Sequence, residues 1–226
     1  ADVRAVDVEP NATGCAFSVV RDGVTLGRVQ SPLAGRHNVW NTLAAFSVGF
    51  ELGLEFDALV GALAGFTGVK KRQEEKGEAD GVLVIDDYAH HPTAIEETLR
   101  ALIARYPERK VWAVYEPKSN TARRNVHQGD YARAFSVAPH AYFARPFIKE
   151  DKLADDEKLD LDRLVNDLQG RGVDAEHRPD IPSLAATLAD RVPPGDLVVF
   201  MSSSGFEGIH ERLLEALRQR AAGRSR

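Results

Sequence analysis

The sequence predicts an α/β chain in two parts: a small segment of strands and helices, then a Rossmann-like, doubly wound domain on a parallel sheet. Three observations carry that expectation. From residue 76 onward, apolar runs short enough for buried parallel strands alternate with segments of helical period. Before residue 69 the order differs, with valine-rich, partly alternating segments first and two helical segments after them. The chain's 226 residues, 43% hydrophobic and 28% charged, suffice for one domain of about 150 residues and a smaller companion. The boundary is placed at 69–73, giving parts 1–72 and 73–226.

Segments 1–8, 14–21 and 24–30 read as a small antiparallel patch, because Asp22-Gly23 between two such segments is a hairpin signal. A helix over 38–52 follows, with Val39, Leu43, Phe46 and Phe50 on one stripe. A second helix over 56–65 turns Leu59, Val60 and Leu63 inward, and Thr67-Gly68 breaks the pattern. Residues 82–85 form a buried strand. Pro92 suits the first turn of the next helix, where its missing N–H costs nothing. Ile95, Leu99, Leu102 and Ile103 continue that helix. Strands at 110–115 and 141–143 enclose a helix containing 131–137. The charge-dense stretch 149–158 reads as a solvated loop. Helices over 161–169 and 183–191 precede Pro193-Pro194-Gly195, a sharp turn into a strand at 196–201. A helix over 207–220 closes the fold with Ile209, Leu213, Leu214 and Leu217 inward. Its crossovers should be right-handed, and the basic tail beyond Arg218 should fray. No internal repeat is visible.

Composition excludes several classes. A net charge of −5 opposes any broad attraction to nucleic acid or anionic membrane. One cysteine, Cys15, makes neither an internal disulfide nor a cysteine-rich metal site, and a lone thiol fits a reducing compartment. No apolar run approaches the roughly 20 residues that span a bilayer. The start carries neither an apolar signal core nor an initiator Met, as expected of a processed product or a piece of a longer chain.

The sequence contains neither a Gly-x-x-x-x-Gly-Lys-Ser/Thr loop nor a Gly-x-Gly-x-x-Gly motif, so the usual backbone cradle for phosphates is missing. Asn38 and Asn41 share one face of the first helix, and paired amides suit a base edge or a polar ligand. Capping by Asn38 with Asn41 solvated is the plainer reading of that spacing. Lys70-Lys71-Arg72 is either a phosphate clamp, with Arg72 as the forked donor, or a solvated hinge. Asp86-Asp87-Tyr88-Ala89-His90-His91-Pro92 is the most informative segment. It lies past the carboxyl end of a strand, where open α/β sheets bind ligands. Two carboxylates and two imidazoles there exceed what a helix cap needs, and invite acid–base or metal chemistry. Glu116-Pro117-Lys118-Ser119-Asn120-Thr121 and Ser202-Ser203-Ser204-Gly205-Phe206 occupy the same position after their own strands, so three loops should meet on one rim. Two functions remain open on the residues alone: a Rossmann-like binding module without chemistry, and a metal-dependent hydrolase at Asp86, Asp87, His90 and His91.

Together these segments resemble the muropeptide (Mur) ligases of peptidoglycan synthesis. Gly35-Arg36-His37-Asn38-Val39-Trp40-Asn41 is similar to the family's His-Asn-x-x-Asn segment near the end of its central ATP-binding domain. Val69-Lys70-Lys71-Arg72 resembles its domain-junction arginine, and the Asp86–Thr93 run the opening of its C-terminal domain. The loops after 116 and 201 resemble the family's recycling member, which acts on a recovered tripeptide, rather than its L-alanine-adding member.

The resemblance implies a Mur ligase C-terminal domain preceded by the tail of the ATP-binding domain. It implies ATP, Mg²⁺, an acyl phosphate on the lactyl carboxyl of UDP-N-acetylmuramate, attack by the tripeptide amine, and work in the cytoplasm. It assigns His37, Asn38 and Asn41 to the nucleotide, with Arg72 at the terminal phosphate. Asp87 would hold the ribose or help close the domain. His90, Lys118, Ser119, Asn120, Thr121, Ser203, Ser204 and Phe206 would receive the tripeptide. The family's UDP-sugar domain, phosphate loop and main metal ligands are not in this sequence, so the chain alone is expected not to ligate. Lys118 stands where relatives often carry Arg, which weakens a bidentate carboxylate contact, and Ser203-Ser204 replaces a more glycine-like turn.

Overall fold

The computed structural model of the chain describes residues 2–11, 13–66, 68–145 and 154–224. The chain forms two compact units, one of 1–69 with 100–107 and the other of 70–99 with 108–226.

The first unit holds a three-stranded antiparallel sheet of β1 (Val3–Asn11), β2 (Gly14–Arg21) and β3 (Val24–Ser31), with β2 central. Arg21 pairs with Val24, so Asp22 and Gly23 form the expected two-residue turn, both at positive φ. Strand alternation turns Cys15, Phe17 and Val19 to one face. There they pack with Val39, Phe46 and Phe50 of α1 (Arg36–Glu51). Leu59, Val60 and Leu63 of α2 (Phe56–Ala64) cover the same cluster, half-buried. A Cβ on Gly49 would lie 2.5 Å from Leu59 Cδ2, so any larger residue there requires the Leu59 side chain to move.

The second unit is a six-stranded sheet in the order β4-β5-β9-β6-β7-β8. Its strands are β4 (Glu74–Ala79), β5 (Val82–Asp87), β6 (Val111–Tyr115), β7 (His140–Ala144), β8 (Asp174–Arg178) and β9 (Leu197–Met201). All pairs are parallel except β4 with β5. The helices are α3 (Pro92–Arg105), of which residues 92–99 belong to this unit, α4 (Gln128–Phe135), α5 (Leu161–Gln169), α6 (Ile181–Arg191) and α7 (Ile209–Arg224). One sheet face, with Val82, Val84, Trp112, Val114, Val198 and Phe200, packs on α6 and α7 through Leu184, Leu188, Leu213 and Leu217. Alternation sends Tyr115 and Phe143 to the other face, where both rings meet Phe135 of α4. Each fully buried large apolar side chain contributes about 1.5–3 kcal/mol.

Three expectations change. β4 and β8 were not expected, because Glu-Glu-Lys-Gly-Glu-Ala and Asp-Ala-Glu-His-Arg lack an apolar run. Both are edge strands, which tolerate charge. The tail beyond Arg218 does not fray at once: α7 continues to Arg224, and the Arg220 guanidinium pairs with Asp80 while donating to the carbonyls of Ala189 (2.6 Å) and Val192 (2.7 Å). Part of the expected loop 149–158 lies outside the described residues. Within it, Asp155–Glu157 is a 3₁₀ turn and Lys158 bridges Arg124.

Candidate functional site

β9 lies between β5 and β6, so the carboxyl ends of these three strands are neighbours although their loops are far apart in sequence. Backbone bonds stitch the rim: Ser202 N–H donates to the carbonyl of Asp87 (3.2 Å), and Glu116 N–H to that of Met201 (3.1 Å). The connection after β9 leads to the opposite face of the sheet from those after β5 and β6, and at such a switch point the ends of the strands are where doubly wound sheets bind ligands.

Strand parity separates the two aspartates. Asp86 follows Val82 and Val84 onto the α7 face, where His210 Nε2 lies 3.2 Å from its Oδ1. Asp87 faces α3. Its carboxylate accepts from Ala89 N–H (2.7 Å), Gln73 N–H (2.9 Å) and Thr98 Oγ1 (3.3 Å). Burial pushes the Asp87 carboxyl above the usual range, opposed by these donors and the positive charge of Arg72. The two carboxylates therefore cannot chelate one ion. His91 does not complete a metal set either: its carbonyl accepts from Ile95 N–H and its Nδ1 from Thr93 N–H (3.3 Å), which makes it the cap of α3. The hydrolase alternative loses its ligand set on this geometry.

The next loop centres on Glu116, a buried carboxylate. It accepts from Ser202 Oγ (2.7 Å) and Ser204 Oγ (2.6 Å), with Lys118 Nζ 3.4 Å away. Lys71 Nζ donates to the carbonyl of Ser204. Lys71 and Gln73 both have positive φ, and Tyr88 N–H donates to the Lys71 carbonyl (2.8 Å). The segment entering the second unit is thus fastened to two of the three rim loops.

The expected site residues fall into groups. Arg72 is exposed, its guanidinium 5.3 Å from the centre of the Tyr88 ring. His90 Nδ1 bonds the Tyr88 carbonyl (2.9 Å), and the His90 carbonyl accepts from both Tyr115 and Tyr131 hydroxyls. Ser119 Oγ accepts from Ala122 N–H (3.1 Å) and Asn120 Oδ1 from Arg123 (2.8 Å), so 119–123 is a capped turn with Asn120 and Thr121 exposed. Ser203 and Ser204, on the loop after β9, are half-buried.

Phe206 corrects the expectation for its side chain. The ring is buried against Phe200, leaving only its N–H, which donates to Ser204 Oγ (3.1 Å), toward the loop. His37, Asn38 and Asn41 belong to the first unit. Asn38 is not the cap there: the helix starts one turn earlier at Gly35, and Asn38 Nδ2 donates to the Ala34 carbonyl (2.7 Å) while Oδ1 accepts from Asn41 (3.2 Å).

Sequence reasoning named Glu116, Ser202 and Lys71 only as members of their segments, and missed Thr98 and Gln73. Helical period would have found Thr98, three residues after Ile95, on the inner face of α3. The contacts of Glu116, Ser202 and Lys71 depend on β9 inserting between β5 and β6, and that of Gln73 on the backbone turn that brings its N–H to Asp87. For the nucleotide that the resemblance implies, the residues supply amides and a cation. For Mg²⁺, the described residues hold no group of three or more His, Cys, Asp or Glu arranged for a metal. Among the described residues no helix is long and apolar enough to cross a membrane.

A family model described as Mur ligase, glutamate ligase domain, matches residues 71–204. The UDP-N-acetylmuramate–L-alanine ligase of Salinibacter ruber is 35% identical over 218 residues, 96% of this chain and 45% of that protein. The UDP-N-acetylmuramate–L-alanyl-γ-D-glutamyl-meso-2,6-diaminoheptandioate ligase of Escherichia coli is 33% identical over 207 residues, 91% of this chain and 43% of that protein. A solved murein peptide ligase from Psychrobacter arcticus aligns with a TM-score of 0.69 at 30% identity, covering 96% of this chain and 44% of that one. The UDP-N-acetylmuramate-alanine ligase structure from Thermotoga maritima reaches 0.79 at 20% identity, covering 98% and 46%, a likeness of fold. The chain spans about half the length of the curated relatives it matches. The family match takes in more than half of this chain and runs over the sheet and rim just described, so the chain belongs to the Mur ligase family.

Proposed function

We propose that this chain is the acceptor-receiving part of an ATP-dependent, amide-bond-forming ligase. The acid is the lactyl carboxyl of UDP-N-acetylmuramate, activated as an acyl phosphate, and the acceptor is the tripeptide L-Ala-γ-D-Glu-meso-diaminopimelate of peptidoglycan recycling. On this reading 1–72 closes an ATP-binding domain carrying His37, Asn38 and Asn41, and 73–226 is the acceptor domain. The observation that carries it is the rim: loops after β5, β6 and β9 converge where a doubly wound sheet binds ligands, and they bear polar side chains. Placement and charge neutralisation are what such a reaction asks of the protein. Arg72 supplies a cation beside Asp87, while Lys118, Ser119, Asn120, Thr121, Ser203 and Ser204 offer the acceptor its polar contacts.

A second reading takes L-alanine as the acceptor, and the 35% identity to the Salinibacter ruber L-alanine ligase favours it. Calorimetric titration of the chain with tripeptide and with L-alanine separates the two. Heat with tripeptide, lost in Asn120→Ala, is the expected result. Heat with L-alanine alone selects the second reading, and no heat with either overturns the acceptor site.

A further inference from the structure

We propose that Glu116 is a positioning residue of the acceptor site, the buried carboxylate that holds the loops after β6 and β9 in one conformation. The proposal rests on the acceptor reading above. Glu116 is 3% exposed, and Ser202 and Ser204 both give their hydroxyls to its Oε2. A carboxylate only accepts, and each serine has one hydroxyl proton. With both protons committed to Glu116, the serine oxygens turn their lone pairs to the loop. There Ser202 Oγ accepts from Ser204 N–H (3.0 Å) and Ser204 Oγ accepts from Phe206 N–H (3.1 Å). Ser202 Oγ and Ser204 Oγ also lie 3.1 Å apart, where either could donate to the other, and it is the carboxylate of Glu116 that draws both protons to itself. Its Oε1 faces Lys118 Nζ, so the same group also steadies the loop after β6. Lys71 adds the segment entering the second unit, through the Ser204 carbonyl.

A buried charge of this kind costs stability unless fully paired, and an apolar side chain would fill the space more cheaply. Here the carboxylate takes two short hydroxyl bonds on one oxygen and a lysine ammonium at 3.4 Å on the other, on the rim where the acceptor docks. Glutamine has the same shape but half the acceptors. Its NH₂ must face either the Lys118 ammonium or a serine proton, so either the Lys118 contact or a serine contact is lost.

The test compares wild type, Glu116→Gln and Ser204→Ala by amide hydrogen exchange, thermal midpoint and titration with whichever acceptor the wild type binds. In Glu116→Gln the Ser204 and Phe206 amides should exchange about tenfold faster or more. Amides within β9 should be unchanged, and acceptor affinity should fall about tenfold, the worth of one charge-assisted hydrogen bond. Ser204→Ala should accelerate Phe206 in the same way, and it carries the test if the glutamine variant fails to fold. Wild-type exchange at both amides overturns the proposal, as does a uniform acceleration across β5, β6 and β9. Faster loop exchange with unchanged affinity removes Glu116 from the acceptor site. A wild type that binds neither tripeptide nor L-alanine overturns the acceptor reading itself, while the exchange data still decide whether Glu116 holds the loops.

Discussion

Tyr115 and Tyr131 offer a double-mutant cycle with a sign that follows from counting donors. Both hydroxyl oxygens lie 3.0 Å from the His90 carbonyl and 3.1 Å from each other, on side chains that are almost wholly buried. Tyr→Phe at either position keeps the ring packing and removes one hydrogen bond, a net loss of about 1 kcal/mol. After either change the carbonyl, at the entry to α3, still has a partner. The double variant strips it of both, adding a desolvation penalty of about 1 kcal/mol or more. The expected costs are about 1, 1 and 3 kcal/mol, a coupling near 1 kcal/mol. Urea unfolding at constant m-value reads this. In a chain of this size 1 kcal/mol also moves the thermal midpoint by about 2–4 °C. Burial pushes both phenols above their usual range, so both remain donors through neutral pH. If the double variant equals the sum of the singles within about 0.3–0.5 kcal/mol, the two hydroxyls do not share that carbonyl.

Arg220→Ala should cost about 2–4 kcal/mol, because it removes a charge-assisted pair with Asp80 and two bonds to the α6 end. A drop of roughly 5–10 °C in thermal midpoint checks it, and an unchanged midpoint would mean that the tail frays after all. Asp87 should leave a pH signature. Its folded-state pKa is raised by burial, so between the unfolded and folded values the native state holds a proton that the unfolded chain has released. Stability relative to Asp87→Asn is then greatest below the unfolded pKa and falls as pH rises through the folded one. Chemical denaturation of both proteins across pH 4–7 tests the sign, and a difference that grows with pH would refute it.

Much of the fold was legible because burial writes itself into the sequence. The apolar runs 82–85 and 197–201 sit in the sheet interior and admit no other reading. β4 and β8 were illegible for the converse reason: an edge strand needs no apolar run, so nothing in Glu74–Ala79 or Asp174–Arg178 distinguishes it from a loop. At the site, the three rim loops could be named because each follows an apolar strand and carries polar or turn-forming residues. What joins them could not be named. Glu116 reads as an ordinary acid before a proline until β9 is known to lie between β5 and β6. Lys71 and Gln73 read as a polar hinge until their backbone is seen in the left-handed region.

The Asp86-Asp87 pair shows what topology adds to motif. Two adjacent carboxylates invite a shared role, yet a strand's period of two makes that the one thing neighbours cannot have. Asp86 is coupled to α7 through His210, and Asp87 to α3 and the 70–73 segment through Thr98 and Gln73. A substitution at the first should therefore act on the helix that follows the Ser202–Phe206 loop. A substitution at the second should act on the segment by which the chain enters the domain. The same rim is braced from both faces of the sheet, and Glu116 braces it from the strand on the far side of β9.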